Sequence, residues 1–320
     1  MLKPILLLLG LLLAARAPAQ PVLPAELLGS WWLDGSAGLD MSGLAFCEQR
    51  LLAVSDKDSG TIYAVDFAGS QPGQGASPRA RLQPYQRFGG LDVPRGELGA
   101  ALLGLVQPGL AADFEGISCS GGAIYLLSER YHRLVRLLPD GSGHWLPQGW
   151  AEPARARGYM QRFNGAGEGL VRKDGQTWIA LERQARGLVR LGENKMEFYD
   201  IPPVPGLDFH GRPEDITGLD IHAGALYTLE RNAFAVCRRS LGDLEAEWCI
   251  EYRAVEEAPE HVYRKTRYGK AEGLAVNDEG IFIVLDNNNV GRASDPDDRR
   301  ALLMQLGHPQ GTLLQEVPQP

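Results

Sequence analysis

No Cys-x-x-Cys spacing occurs anywhere in the 320 residues, which removes thioredoxin-type redox chemistry and the usual zinc clips. Gly-x-Ser-x-Gly, His-x-x-x-His and the phosphate-cradling P-loop are missing too. That excludes a nucleophile elbow, a helical zinc pair and nucleoside-triphosphate chemistry of the Walker kind. Beyond the first residues no run is apolar enough to span a membrane, and no convincing amphipathic helix is present. Positive charge is in deficit as well: 32 Lys and Arg face 40 Asp and Glu, for a net charge of −8. Nucleic acid and anionic membranes are therefore excluded as expected partners.

What is there begins with a leader. Lys3 supplies a positive start, Ile5 to Leu13 form a short apolar stretch, and Ala17-Pro18-Ala19 fits a small-x-small cleavage site. The reading is a signal peptide over 1–19, one domain over 20–310 and a loose tail over 311–320. The mature chain is expected to be periplasmic or secreted, monomeric, and without stable membrane insertion. Cleavage near Ala19 leaves 30 basic residues against 40 acidic ones. Four cysteines in an oxidising compartment invite pairing. Cys237 and Cys249 flank a stretch that turns through Gly242-Asp243, and a disulfide is expected there. Cys47 and Cys119 fall at nearly equivalent places in two repeats and can be bridged or buried as thiols; buried thiols are the favoured reading.

One phrase is written five times. It reads SGLAFCEQRLLAVSDK from Ser42, EGISCSGGAIYLLSER from Glu115 and EGLVRKDGQTWIALER from Glu168. It returns as TGLDIHAGALYTLER from Thr217 and EGLAVNDEGIFIVLDN from Glu272. Its glycines (43, 116, 169, 218, 273) are 73, 53, 49 and 55 residues apart. A period near 50 means a propeller or another array. Each copy holds two short apolar runs around a turn, and a third run often follows, as in TIYAVDF, RLVRLLPDG and GLVRLG. The fold class is all-β, a β-propeller of five blades with about four antiparallel strands each. Six blades is the alternative, because the long first gap, which contains GSQPGQGASPRA, PYQRF and LLGLV, has room for another. ALLMQLG near the C-terminus is expected to latch onto an early segment such as LGSWWLD, and Trp31-Trp32 to pack there.

Antiparallel strands return the chain to the side it left, so both ends of the phrase reach one face of the ring. The first position carries Glu115, Glu168 and Glu272, with Ser42 and Thr217 in the other copies. The last carries Asp56, Glu129, Glu182, Glu230 and Asp286, followed by Lys57, Arg130, Arg183, Arg231 or Asn287. Crowded carboxylates suit a hard cation with oxygen ligands, and calcium tolerates irregular geometry. Arginines beside it can hold a carboxylate or phosphate. In the competing reading each acid pairs with an arginine and braces the blades. FHGRPEDITG, with His210, Arg212, Glu214 and Asp215, is a candidate substrate loop in which His210 is an acid or base. The DPDD run at 295–298 reads as a solvated turn.

The Glu-Gly-Leu/Ile phrase, its aliphatic-aromatic strand and the closing Ser-Glu-Arg resemble the phytase-like β-propeller domain family, described as having esterase-like activity of phytase. SdiA-regulated-type propellers share a similar acid-Gly-Leu phrase. The resemblance runs from about Leu33 to Leu306 and rests on DMSGLAF with LLAVSDK, DFEGIS with YLLSER, and AEGLAV with FIVLDNN. It implies an exported propeller with calcium-dependent hydrolysis of a small phosphoester or related ester. Matching positions imply metal ligands at Asp56, Glu115, Glu129, Glu182, Glu230 and Asp286, with Glu168 and Glu272 as catalytic carboxylates. Lys57, Arg130, Arg183, Arg231 and Asn287 are implied on the substrate. Two alternatives stand beside it: a non-enzymatic scaffold whose Glu-Arg ring braces the blades, and a lactonase-type metal-dependent hydrolase.

Overall fold

The computed structural model describes residues 22–67, 79–92, 94, 112–161, 166–183, 185–264 and 270–309. The leader, most of the GSQPGQGASPRA insertion, LLGLV and the tail lie outside them. Every copy of the phrase forms a hairpin, and two further strands complete a four-stranded antiparallel unit. From the inside outwards unit I is Met41–Cys47, Arg50–Ser55, Thr61–Asp66 and Ala80–Arg87. PYQRF thus belongs to the outer strand of unit I. Unit II is Phe114–Ser120, Ala123–Ser128, Arg133–Leu137 and Gly143–Trp145. Unit III is Gly167–Lys173, Gln176–Leu181, Gly187–Leu191 and Met196–Asp200.

Unit IV is Gly218–His222, Ala225–Glu230, Ala235–Ser240 and Ala246–Glu251, with Val22–Pro24 added in parallel as a fifth, outermost strand. In unit V, Ala271–Asn277, Gly280–Leu285 and Leu302–Leu306 come from the C-terminal end, and the outer strand is the early segment Leu27–Asp34. Trp31 and Trp32 pair with Leu303 and Leu302 in that strand. The expected latch is present. Among the described residues these units number five, and the fold is a β-propeller.

Strand alternation explains how the units pack. In the second strand of unit II, Ala123, Tyr125 and Leu127 turn towards unit III, whereas Ile124 and Leu126 turn towards unit I. Side chains on opposite faces of one strand thus feed two different cores. Apolar clusters fill each seam, and the seam between units V and I closes the ring around Leu33, Leu44, Phe282 and Leu303.

The repeat glycines are where inner strands meet. A Cβ on Gly116 would lie 2.8 Å from the Leu170 Cβ, one on Gly169 2.8 Å from the Gly218 carbonyl carbon, and one on Gly218 2.7 Å from the Leu274 Cβ. On Gly273 it would lie 2.9 Å from the Leu44 nitrogen, and on Gly43 3.2 Å from the Gly116 Cα. Each glycine touches the next unit in a closed cycle. The phrase keeps its glycine because only a residue without a side chain permits this approach; none of the five needs a left-handed backbone.

Cys237 and Cys249 face each other across adjacent strands, as expected, with Cα atoms 4.0 Å apart, and form a disulfide. Cys47 and Cys119 are also bonded, which corrects the reading of two buried thiols. Both stand at the ends of neighbouring inner strands, half-buried, with Cα atoms 5.4 Å apart. The glycine contacts that draw units I and II together also bring these thiols within reach. Two disulfides fit an exported protein in an oxidising environment. No helix among the described residues is long and apolar enough to cross a membrane.

Candidate metal centre at the channel mouth

Two local devices aim the acids into the channel. At the first position the strand pairing slips: Met41 pairs with Ser55 but Gly43 with Val54, and the same shift recurs at Glu115, Glu168 and Glu272. Such a bulge leaves the extra residue out of the ladder and re-aims its side chain. At the last position, the backbone N–H of Asp56 donates to the Asp40 carbonyl, Glu129 to Asp113, Glu182 to Ala166, and Asp286 to Lys270. These bonds close each hairpin with its acid at the rim.

A cavity of roughly 360 Å³ results. Asp56, Glu115, Glu129, Glu168, Glu182, Glu272 and Asp286 line it, with Arg183 and Arg231, as do Asp40, Ser42 and Asn288. Two halves of this mouth differ. On one side Arg231 donates to Glu182, Glu272 and, at 3.0 Å, Asp215, joining units III, IV and V. Arg183 adds an ion pair to Glu182 at 2.9 Å. On the other side one carboxylate oxygen each of Asp56, Asp113 and Glu115 lies within 4.8 Å of the others. Lys57 pairs with Asp56 and with Asp40 at 3.4 Å. The side chains of Glu115 and Glu168 have no hydrogen-bond or ion-pair partner among the described residues.

Burial raises the proton affinity of nearly the whole ring. Glu115 and Glu168 stand well above the usual carboxylate range, first through desolvation and then through neighbouring acids. Glu129 is raised to about 7 by burial, Asp113 and Glu182. Glu272 reaches about 8 because burial outweighs the pull of Arg231. Burial likewise takes Asp286 to about 7 and Asp56 to about 6 despite Lys57.

The fit to a cation can be read from these donors. Asp56 Oδ1, Glu182 Oε2 and Glu272 Oε2 are buried oxygens without a hydrogen-bond partner. No histidine or cysteine lines the cavity. An all-oxygen, anionic donor set with orphaned oxygens suits a hard divalent ion such as calcium or magnesium.

Three other residues singled out from the sequence lie elsewhere. Glu230 is fully buried, turned into unit IV, and accepts from Thr228, Arg186 and Arg239. Asn287 donates to the Arg299 carbonyl at 2.6 Å, and its neighbour Asn288 lines the cavity instead. His210 stands in a separate groove with Leu23, Leu207 and Glu251, 3.2 Å from Asp208 and 3.5 Å from Arg253. Arg130 is also off the cavity wall, although its charge favours the ionised form of Asp113. Asp113 and Asp40 were missed, yet they have a signal: Asp precedes the repeat glycine by three in DMSG, DFEG and DITG.

No protein-family model and no curated protein matches the sequence. Among solved structures, the chain is similar to the glutaminyl cyclase of Myxococcus xanthus, at 15% identity and a TM-score of 0.54, over 92% of this chain and 100% of that one. At that identity the likeness shows the fold. Similarity extends to a PQQ-bound aldose sugar dehydrogenase from Streptomyces coelicolor (15% identity, TM-score 0.45, 90% and 100% coverage). A gluconolactonase from Xanthomonas campestris is also similar (11% identity, TM-score 0.41, 91% and 99% coverage).

Proposed function

We propose that the chain is an exported, monomeric propeller hydrolase that uses a divalent cation, calcium first, to cleave a small ester, phosphoesters included, at the channel mouth. One observation carries the reading: one carboxylate oxygen each of Asp56, Asp113 and Glu115 converges on a single point, and Asp56 Oδ1 there is buried without a hydrogen-bond partner, which suits a bound cation. When bound there, such an ion supplies Lewis acidity to a substrate oxygen. Glu168, whose hold on its proton burial and the neighbouring acids raise well above the usual carboxylate range, gives that proton to the leaving oxygen as the ester bond breaks. Glu129, held near 7, takes a proton from the water whose oxygen forms the new bond. Glu272 is held in place by Arg231 beside them. His210, outside the cavity, has no part in this step.

A second reading, a scaffold with no reaction, draws on the three-unit tie made by Arg231, which has the geometry of a brace. A panel of aryl phosphates, aryl esters and lactones, assayed with calcium and with EDTA, separates the two. The hydrolase predicts turnover that EDTA abolishes and that Glu168→Gln lowers by about a hundredfold or more. It also tells a phosphoesterase from a lactonase. Calcium binding without turnover of any substrate class would favour the scaffold.

A further inference from the structure

The turn that follows Glu129 carries basic groups with hydrogen-bond donors that no acid of the cluster accepts. Arg130 Nη1, His132 Nδ1 and Arg133 Nε are all buried, and none has a hydrogen-bond partner. Three orphans within four consecutive residues are unusual, because buried polar groups are normally satisfied. Arg155 Nη2 lies 3.3 Å from His132 Nε2, and a guanidinium can only donate, so Nε2 accepts. Burial and Arg155 lower the pKa of His132 to about 4, which keeps the ring neutral. Its proton therefore sits on Nδ1. All three orphans are donors, and all three lack an acceptor.

Two further observations single out the same turn. His132 is held at φ 47, a left-handed conformation costly for a residue with a side chain. Glu129, which starts the turn, lines the cavity, and the Arg130 charge reaches Asp113 of the acid cluster. We infer that this turn, with Arg155 from the neighbouring helix Ala151–Arg155, is an oxyanion subsite that holds a carboxylate or phosphate group of a small ligand. The inference deepens the hydrolase reading and rests on it only for the ester end of that ligand. A planar or tetrahedral oxyanion supplies the acceptors that the three donors lack, and the charged arginines strengthen those bonds.

The test is calorimetric titration of the calcium-free protein with inorganic phosphate and, separately, with acetate. Saturable binding of one anion per chain is expected. Arg155→Ala, at an exposed helix end, and His132→Gly, whose backbone suits φ 47, should each weaken it about tenfold or more. Phosphate alone would mark a phosphate-bearing ligand, and acetate as well a carboxylate-bearing one. Calcium titrations of both variants should match the parent, so failure of the cation reading shows separately. Absence of binding by either anion, or undiminished binding in both variants, would overturn the subsite.

Discussion

Replacing Arg231 with alanine is expected to cost about 3–5 kcal/mol of folding stability, because it strands buried carboxylates without their counter-charge. Arg231 is 7% exposed and makes ion pairs to acids from units III, IV and V. Its own pKa is raised by Glu272, Asp215 and Glu182 against the cost of burial. Lysine should recover only part of the loss, since one ammonium cannot reproduce a planar fork that reaches three carboxylates. Denaturant unfolding of parent, Arg231→Ala and Arg231→Lys measures this at neutral pH. The deficit should grow at pH 9, where Glu272, held near 8, is ionised and needs its partner. A loss under about 1 kcal/mol, as for a surface pair, would show that Arg231 does not tie the units together.

The second large effect is an inverted dependence of stability on pH. Asp56, Glu129, Glu272 and Asp286 have folded-state pKa values raised to about 6, 7, 8 and 7. A carboxyl raised in this way binds protons more readily in the folded chain than in the unfolded one. Its stabilising contribution is therefore complete below about pH 4 and is lost as pH rises through 6 to 8. Asp298, held near 2 by Arg300 and Arg292, works in the opposite sense but only at the acid end. The calcium-free protein should be most stable near pH 4 and lose on the order of a few kcal/mol by pH 8. Calcium should flatten that slope, because the ion replaces the protons that the ring otherwise needs. Melting temperatures from pH 5 to 8 in EDTA and in calcium measure both slopes. A calcium-free protein that grows more stable towards pH 8 would mean that the acids are already neutralised by their arginines.

Much of this was legible in the sequence because it is local and repeated. The glycines, the two apolar runs and the acid at each end fix the hairpins and the face to which the acids go. The latch of LGSWWLD onto ALLMQLG could be read because closing the ring needs a last strand, and the early segment precedes the first copy of the phrase. What escaped depends on residues far apart in the chain. Glu230 looks like the other terminal acids, yet Arg239 of its own unit and Arg186 of unit III hold it off the cavity wall. Cys47 and Cys119 are joined by the approach of two inner strands that lie 72 residues apart. Asn287 and Asn288 differ by one residue, and only backbone geometry decides which faces the cavity. Asp113 could have been found, since Asp stands three before the glycine in three repeats; the pattern is broken by Ala166 and Lys270 in the other two.

The most direct measurement is calorimetric titration of calcium into the EDTA-stripped protein, beside Asp113→Asn. Asn suits the left-handed backbone at position 113, φ 56, so the variant keeps the turn and loses only the charge. A cation held by Asp56, Asp113 and Glu115 predicts one saturable site in the parent, weakened about tenfold or more in the variant. A parent that takes up no calcium, or a variant that binds it equally well, would contradict the site.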